Sequence, residues 1–272
     1  MRHSFLRCRI LAAFLLLALP ACAGRGREPI QSSTQLVVVT TSDWDAVQGT
    51  LQRYQRSSST RRWQPVGEPV SVVVGRNGLG WGSGLVPAGA LQRPGTTDPV
   101  KKEGDGKAPA GIFRLSRAFG YADNKKPGWK MPYISLTQSV ECVDDPGSKF
   151  YNRIVDGTAV SKDWSSSEQM RRSDELYRWG IVVDHNADPT RTGSGSCIFL
   201  HIWRGPGQGT VGCTAMAQEH LESLLAWLDP ERRPVLVQLP AAHYAHLRGK
   251  WNLPYLSPSA ALVWPENRRF DP

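Results

Sequence analysis

The chain has 272 residues and carries 33 Lys plus Arg against 24 Asp plus Glu, a net charge of +9. Its 26 Gly and 20 Pro punctuate it too often for a helical bundle or a coiled coil. Outside the opening residues, no apolar run reaches the roughly 18 residues that a membrane-spanning helix needs.

Arg2, Arg7 and Arg9 precede an apolar run over residues 10–19, which Pro20 breaks and Ala21-Cys22-Ala23 follows. A basic head, a short apolar run and a small-residue exit are the parts of a secretory signal, so residues 1–23 predict export to the periplasm or cell envelope. Two exits compete. Cleavage after Ala23 yields a soluble secreted chain, whereas Leu19-Pro20-Ala21-Cys22 resembles a lipobox in which Cys22 carries a lipid, the one membrane attachment the sequence offers. Three positive charges leave with the leader, and the remainder suits an anionic envelope. No basic run interleaved with aromatics and no helix-turn-helix pattern is present, which argues against nucleic acid as a partner.

Residues 24–34 read as a short linker. The β-branched run 36–41 is a strand. Ser42 and Asp43 then stand as cap candidates before Val47, Leu51 and Tyr54 at helical spacing, which predicts a helix ending near Arg56. Residues 70–74 form a strand turning at Gly75, and the Gly-rich stretch 78–106 reads as loop. Further strands are expected at 112–115, 180–184, 197–203 and 234–239. An amphipathic helix with Met216, Leu221, Leu224, Leu225 and Leu228 lies between the last two. The tail 241–272 has Pro and aromatics without periodicity and is expected to wrap the domain surface. The whole predicts one mainly β domain over 35–240 with packed helices. Ten Trp suit a stiff β core or a surface that holds glycan or peptide.

With Cys8 and Cys22 in the leader, Cys142, Cys197 and Cys213 remain. An odd count in an oxidising compartment means one bridge and one free thiol, or three thiols kept apart. The setting of Cys213 is that of a site, which favours a Cys142–Cys197 bridge among the three pairings. Closing that span would contribute roughly 4 kcal/mol in the chain-entropy model.

That setting is the run from His201 to Cys213. A strand presents His201, a Gly-rich turn with Gly207, Gly209 and Gly212 reverses the chain, and Cys213 stands just before the amphipathic helix. A thiol becomes nucleophilic near neutral pH only beside a base or a positive dipole. The returning imidazole and a helix start would supply both, and Gly212 would let backbone N–H groups face a developing oxyanion. A zinc site from His185, His201 and Cys213 lacks the paired short spacings that specify one. No Gly-x-Ser-x-Gly elbow lies between a strand and a helix, because the run 193–196 precedes a strand. No cofactor signature is present.

A His on a strand, a Gly-rich stretch, then Thr210-Val211-Gly212-Cys213 resembles the L,D-transpeptidase catalytic domain, also called the YkuD-type domain. Residues 102–113 match independently: Gly104-Asp105, then Ala108-Pro109-Ala110-Gly111-Ile112-Phe113, are similar to that family's Gly-Asp and Thr-Pro-x-Gly-x-Phe block, with Ala108 in place of the usual Thr. The segment 177–186, with His185-Asn186, also looks like an exported branch of the family.

The resemblance implies a β-sandwich-like sheet with a packed helix, and a cysteine enzyme acting on peptidoglycan stem peptides without a cofactor. Cys213 would be the nucleophile and His201 the proton shuttle, oriented by a backbone carbonyl. The N–H groups of Gly212 and Cys213 would form the oxyanion hole. Trp203, Arg204, Thr210 and Thr214 would contact substrate. The chain departs from many relatives at Ala215, where they carry an Arg that can hold a substrate carboxylate; Arg204 or Lys107 would have to supply that cation. An acceptor amine would make the enzyme a transpeptidase, and water would make it a carboxypeptidase or another wall-peptide hydrolase on the same scaffold.

Overall fold

The valines at 37–39 form the middle of strand β1 (Gln35–Thr41), which is buried over nearly its whole length because both its faces are covered. The computed structural model describes residues 29–91 and 97–256. In it β1 pairs antiparallel with β2 (Gln48–Gln55) and parallel with β13 (Val235–Pro240). A strand with a parallel neighbour, buried on both faces, reads as a continuous hydrophobic run.

Outward from β2 the sheet continues through β3 (Gln64–Val73), β12 (Thr214–Met216), β11 (Phe199–Ile202) and β10 (Trp179–Val183). Strand β10 also pairs with β5 (Ala108–Gly120), and β5 pairs with β13. The sheet therefore returns on itself, and these eight strands close around one core that includes Leu36, Val38, Ile112, Ile181, Leu200 and Leu236. Two short strands, β4 (Leu79–Trp81) and β6 (Tyr133–Ser135), add to β5 in parallel. Helix α1 (Gln218–Trp227) lays Leu221, Leu224 and Leu225 against β10 and β11. Burying each such leucine is worth roughly 1.5–3 kcal/mol. Helix α2 (Ala241–Leu247) packs on β13 and β1, and Trp251 and Leu253 behind it enter the core. The start of the expected tail is thus helical.

The helix expected over 43–56 is not formed. Asp43 accepts the N–H groups of Asp45 (2.9 Å) and Ala46 (2.8 Å), as an N-cap would. What it caps is a turn into strand β2. A register shift against β3 between Leu51 and Arg53 rotates the strand, so Leu51 and Tyr54, three residues apart, both reach the core. The bulge gives a strand the apparent spacing of a helix.

A second sheet was not anticipated. Strands β7 (Val140–Val143), β8 (Arg153–Asp156) and β9 (Ser167–Gln169) pair antiparallel in the order β8-β7-β9. A disulfide joins Cys142 of β7 to Cys197, 55 residues later and two before β11, which pins this small sheet to the barrel. Between them lies a second apolar cluster of Phe119, Tyr177, Phe199, the two bridged cysteines and Cys213. The expected leader with Cys22, residues 24–28 of the expected linker, and residues 257–272 lie outside the described residues. No described helix is long and apolar enough to cross a membrane.

Candidate active site

Strands β11 and β12 lie parallel, with His201 opposite Ala215, so the chain between them must travel back along the strand direction. Residues 203–213 make this return. Gly207 holds φ +79°, and a Cβ on Gly209 would stand 2.6 Å from Arg76 Cα, so both positions require glycine. Thr210 locks the end of the loop. Its backbone pairs with Val74 and Arg76, and its hydroxyl donates to Cys213 O (2.6 Å) while accepting the Gly212 N–H (3.1 Å). Cys213 then sits immediately before β12, with α1 starting five residues later. The expected helix start is therefore not beside the thiol.

Cys213 is the free cysteine among the described residues, and it is buried. Its Sγ accepts the Phe199 N–H at 3.3 Å and donates to Cys197 O at 3.5 Å. Burial pushes the thiol up to about 12, and the charge of Glu168 adds to the shift; the Phe199 N–H and the positive charge of Lys101 work against it. The resting thiol is neutral.

His201 is buried on β11, its Nδ1 2.7 Å from Ile202 O and its ring edge-on to Tyr177 at 5.1 Å between centroids. Burial pushes its pKa down to about 4, against the support of the Ile202 carbonyl. The imidazole is therefore neutral. The carbonyl assigns the proton to Nδ1 and leaves the Nε2 lone pair available.

Cys213 and His201 line one cavity of about 270 Å³. Four cations (Arg76, Lys101, Arg172, Arg204) and three carboxylates (Glu103, Asp144, Glu168) share its wall. Glu168, on β9, accepts the Tyr177 hydroxyl at 2.5 Å and lies 3.9 Å from Arg172. Arg172 is also paired with Asp174 at 2.8 Å. Mixed charge of this kind fits a ligand with both a carboxylate and an amine.

The structure brings Trp203, Arg204, Thr210, Gly212 and Ala215 to the cavity. It does not bring Thr214 there: that side chain is buried, and its hydroxyl donates to Gln238 Oε1 at 2.7 Å. Gln238 in turn donates to Pro109 O at 2.9 Å, so Thr214 completes a buried polar chain inside the barrel. The Gly212 N–H, expected in an oxyanion hole, goes to the Thr210 hydroxyl. Lys107 reaches Asn77 O at 2.6 Å and Asp45 at 3.5 Å, away from the cavity. Arg76, Lys101, Glu168, Arg172 and Tyr177 were not singled out by the sequence. Lys101 directly precedes the 102–113 block and Tyr177 heads the 177–186 segment, so both were within reach of those motifs; Glu168 lies in a segment without any periodic pattern. Among the described residues, no group of three or more His, Cys, Asp or Glu is placed to hold a metal.

Comparison with known proteins adds three findings. The YkuD family model, described as the L,D-transpeptidase catalytic domain, matches residues 41–237. Comparison with curated proteins gives no match. Among solved structures, the chain is similar to the helical cell shape determining protein Pgp2 from Campylobacter jejuni, with 14% identity and a TM-score of 0.38, over 76% of this chain. It spans about half of that protein's length (48%). The family match runs from the last residue of β1 into β13 and takes in both the 102–113 block and the His201–Cys213 loop. This chain belongs to the YkuD family, the L,D-transpeptidase catalytic domains.

Proposed function

We propose that the protein is an exported cysteine L,D-transpeptidase that cross-links or remodels peptidoglycan stem peptides. One observation carries the reading: His201, its Nδ1 fixed on the Ile202 carbonyl, shares a cavity with the free thiol of Cys213. As substrate enters, the thiol turns from the Cys197 carbonyl and gives its proton to His201 Nε2. The sulfur attacks the carbonyl at the L-centre of the stem diamino acid. The tetrahedral oxyanion faces the Cys213 N–H. Collapse breaks the bond to the terminal D-alanine, whose amine takes the proton from His201, and leaves a thioester on Cys213. A neighbouring stem amine attacks the thioester, loses its proton to His201, and the thiol is restored. Arg204, Arg172 and Arg76 stand in for the Arg absent at Ala215 as partners for a substrate carboxylate.

The test is incubation of the exported protein with disaccharide tetrapeptides and mass analysis of the products. Cross-linked dimers with release of D-alanine are expected. Shortened monomers alone would make the chain a hydrolase on the same scaffold, and unchanged substrate would overturn the enzymatic reading.

A further inference from the structure

The Cys213–His201 pair is neutral at rest, and the Gly212 amide is already bonded to Thr210. Attack nevertheless concentrates negative charge, first on sulfur and then on the substrate oxygen, in a site whose thiol and imidazole are both buried. Such charge needs a fixed positive partner, and in a buried site that partner acts more strongly than in water.

We propose that Lys101 is that partner: its buried ammonium stabilises the Cys213 thiolate and the oxyanion that follows. The inference rests on the reading of Cys213 as the nucleophile. The Lys101 side chain is only 3% exposed, yet it lines the cavity. Its Nζ donates to Asp105 Oδ1 and to Lys102 O, both at 2.6 Å. These two bonds aim the ammonium and leave one of its three hydrogens for the cavity side. Nζ stands 3.8 Å from where a Cβ on Gly212 would lie, so the glycine next to the thiol keeps the space in front of the charge open.

The surroundings hold this charge without cancelling it. Asp105 is itself drawn back by the N–H groups of Lys102 (2.7 Å) and Lys107 (2.9 Å). Gly195, at φ +97°, is in van der Waals range of the lysine stem: a Cβ there would lie 2.9 Å from Lys101 Cε and 3.0 Å from His185 Nε2. His185 is buried and neutral, its pKa held down to about 4 by that burial, so it adds no second charge. Glu103 accepts the hydroxyls of Tyr151 and Ser196. Across the cavity Glu168 opposes the thiolate, with Tyr177 and Arg172 engaged on it. The cavity wall around Cys213 thus carries His201 from β11, Glu168 from β9, Tyr177 from the segment before β10, and Lys101 from the loop before β5.

The experiment measures alkylation of Cys213 by iodoacetamide in the full chain at fixed alkaline pH, resolved by peptide mass. Removing an opposite charge from the wall of a thiol's cavity raises the thiol pKa by about one unit or more, so Lys101→Met should slow alkylation about tenfold. Lys101→Arg should recover most of the rate, and kcat on the disaccharide tetrapeptide should fall in Lys101→Met while KM holds. Should Lys101→Met fold poorly because Asp105 is left unpaired, K101M/D105N removes both charges and is read in the same way. Alkylation at the native rate in a folded variant without the lysine overturns the inference. Failure of the parent reading looks different: Cys213→Ala would then retain turnover, whatever the alkylation rates.

Discussion

Cys213 Sγ donates its proton to the carbonyl oxygen of Cys197 at 3.5 Å, so the free thiol hangs directly on one half of the disulfide. Cys197 holds φ +54°, and its N–H is fixed at 2.9 Å by Asn152 Oδ1. The bridge that staples the fold also sets where the thiol rests.

Cys142→Ser should therefore have two effects. It removes a closed loop of 55 residues, for a loss of roughly 4 kcal/mol by the chain-entropy estimate, readable in denaturant midpoints. It also frees the Cys197 carbonyl, so turnover should fall at temperatures where the variant is still folded. In the unreduced native protein, alkylation should label Cys213 and spare Cys142 and Cys197. Labelling of all three would contradict the bridge.

His201→Gln keeps a polar side chain of similar reach but cannot take and return a proton. Loss of a general acid–base group typically costs 10²–10⁴ in rate, so kcat should drop by about that factor with little change in KM. Cys213→Ser should abolish thioester formation, checked by trapping the acyl-enzyme for intact mass.

The two buried histidines predict a pH profile. His185 and His201 are held near 4, below the 6.5 of a free imidazole. Between those values the unfolded chain binds protons that the folded chain refuses, so stability is full above about pH 6.5 and falls as pH drops towards 4. The Cys213 thiol sits near 12 against an ordinary 9; above pH 9 the unfolded chain loses a proton that the folded one keeps, and stability falls again. Denaturant midpoints across this range check both limbs. The same shifts place the acid limb of kcat/KM near pH 4, and an inflection at 6.5 would contradict the neutral His201.

Thr214→Val separates two roles. The valine leaves Gln238 without its donor inside the barrel, and an unsatisfied buried group costs about 1–3 kcal/mol. Stability should fall by that amount while KM for the stem peptide stays unchanged; a raised KM at native stability would return Thr214 to the substrate site.

The parts of this fold that are legible in the sequence are those carried by short, contiguous patterns. The β-branched runs of β1 and β13, the leucine face of α1, and the eleven-residue return from β11 to Cys213 all announce themselves locally. β2 does not, because its bulge shifts the core-facing residues to a helix-like interval. The small sheet does not either, since three- and four-residue strands with polar partners leave no periodicity. Thr214 was misplaced because the residue that follows Cys213 opens β12 with its hydroxyl turned to Gln238 inside the barrel. Lys101, Glu168 and Tyr177 come from three separate segments, and only closure of the barrel and docking of the small sheet bring them to one cavity.

The pairing of β1 with β13 also has a temporal side. The second strand of that parallel pair is made about 200 residues after the first, so the barrel cannot close until residue 240 has left the ribosome. Until then β1, with its run of buried valines, stays unpartnered on one edge, and contacts this distant in sequence form slowly. The nascent barrel is thus held open while the roughly 200 residues between its two central strands are made.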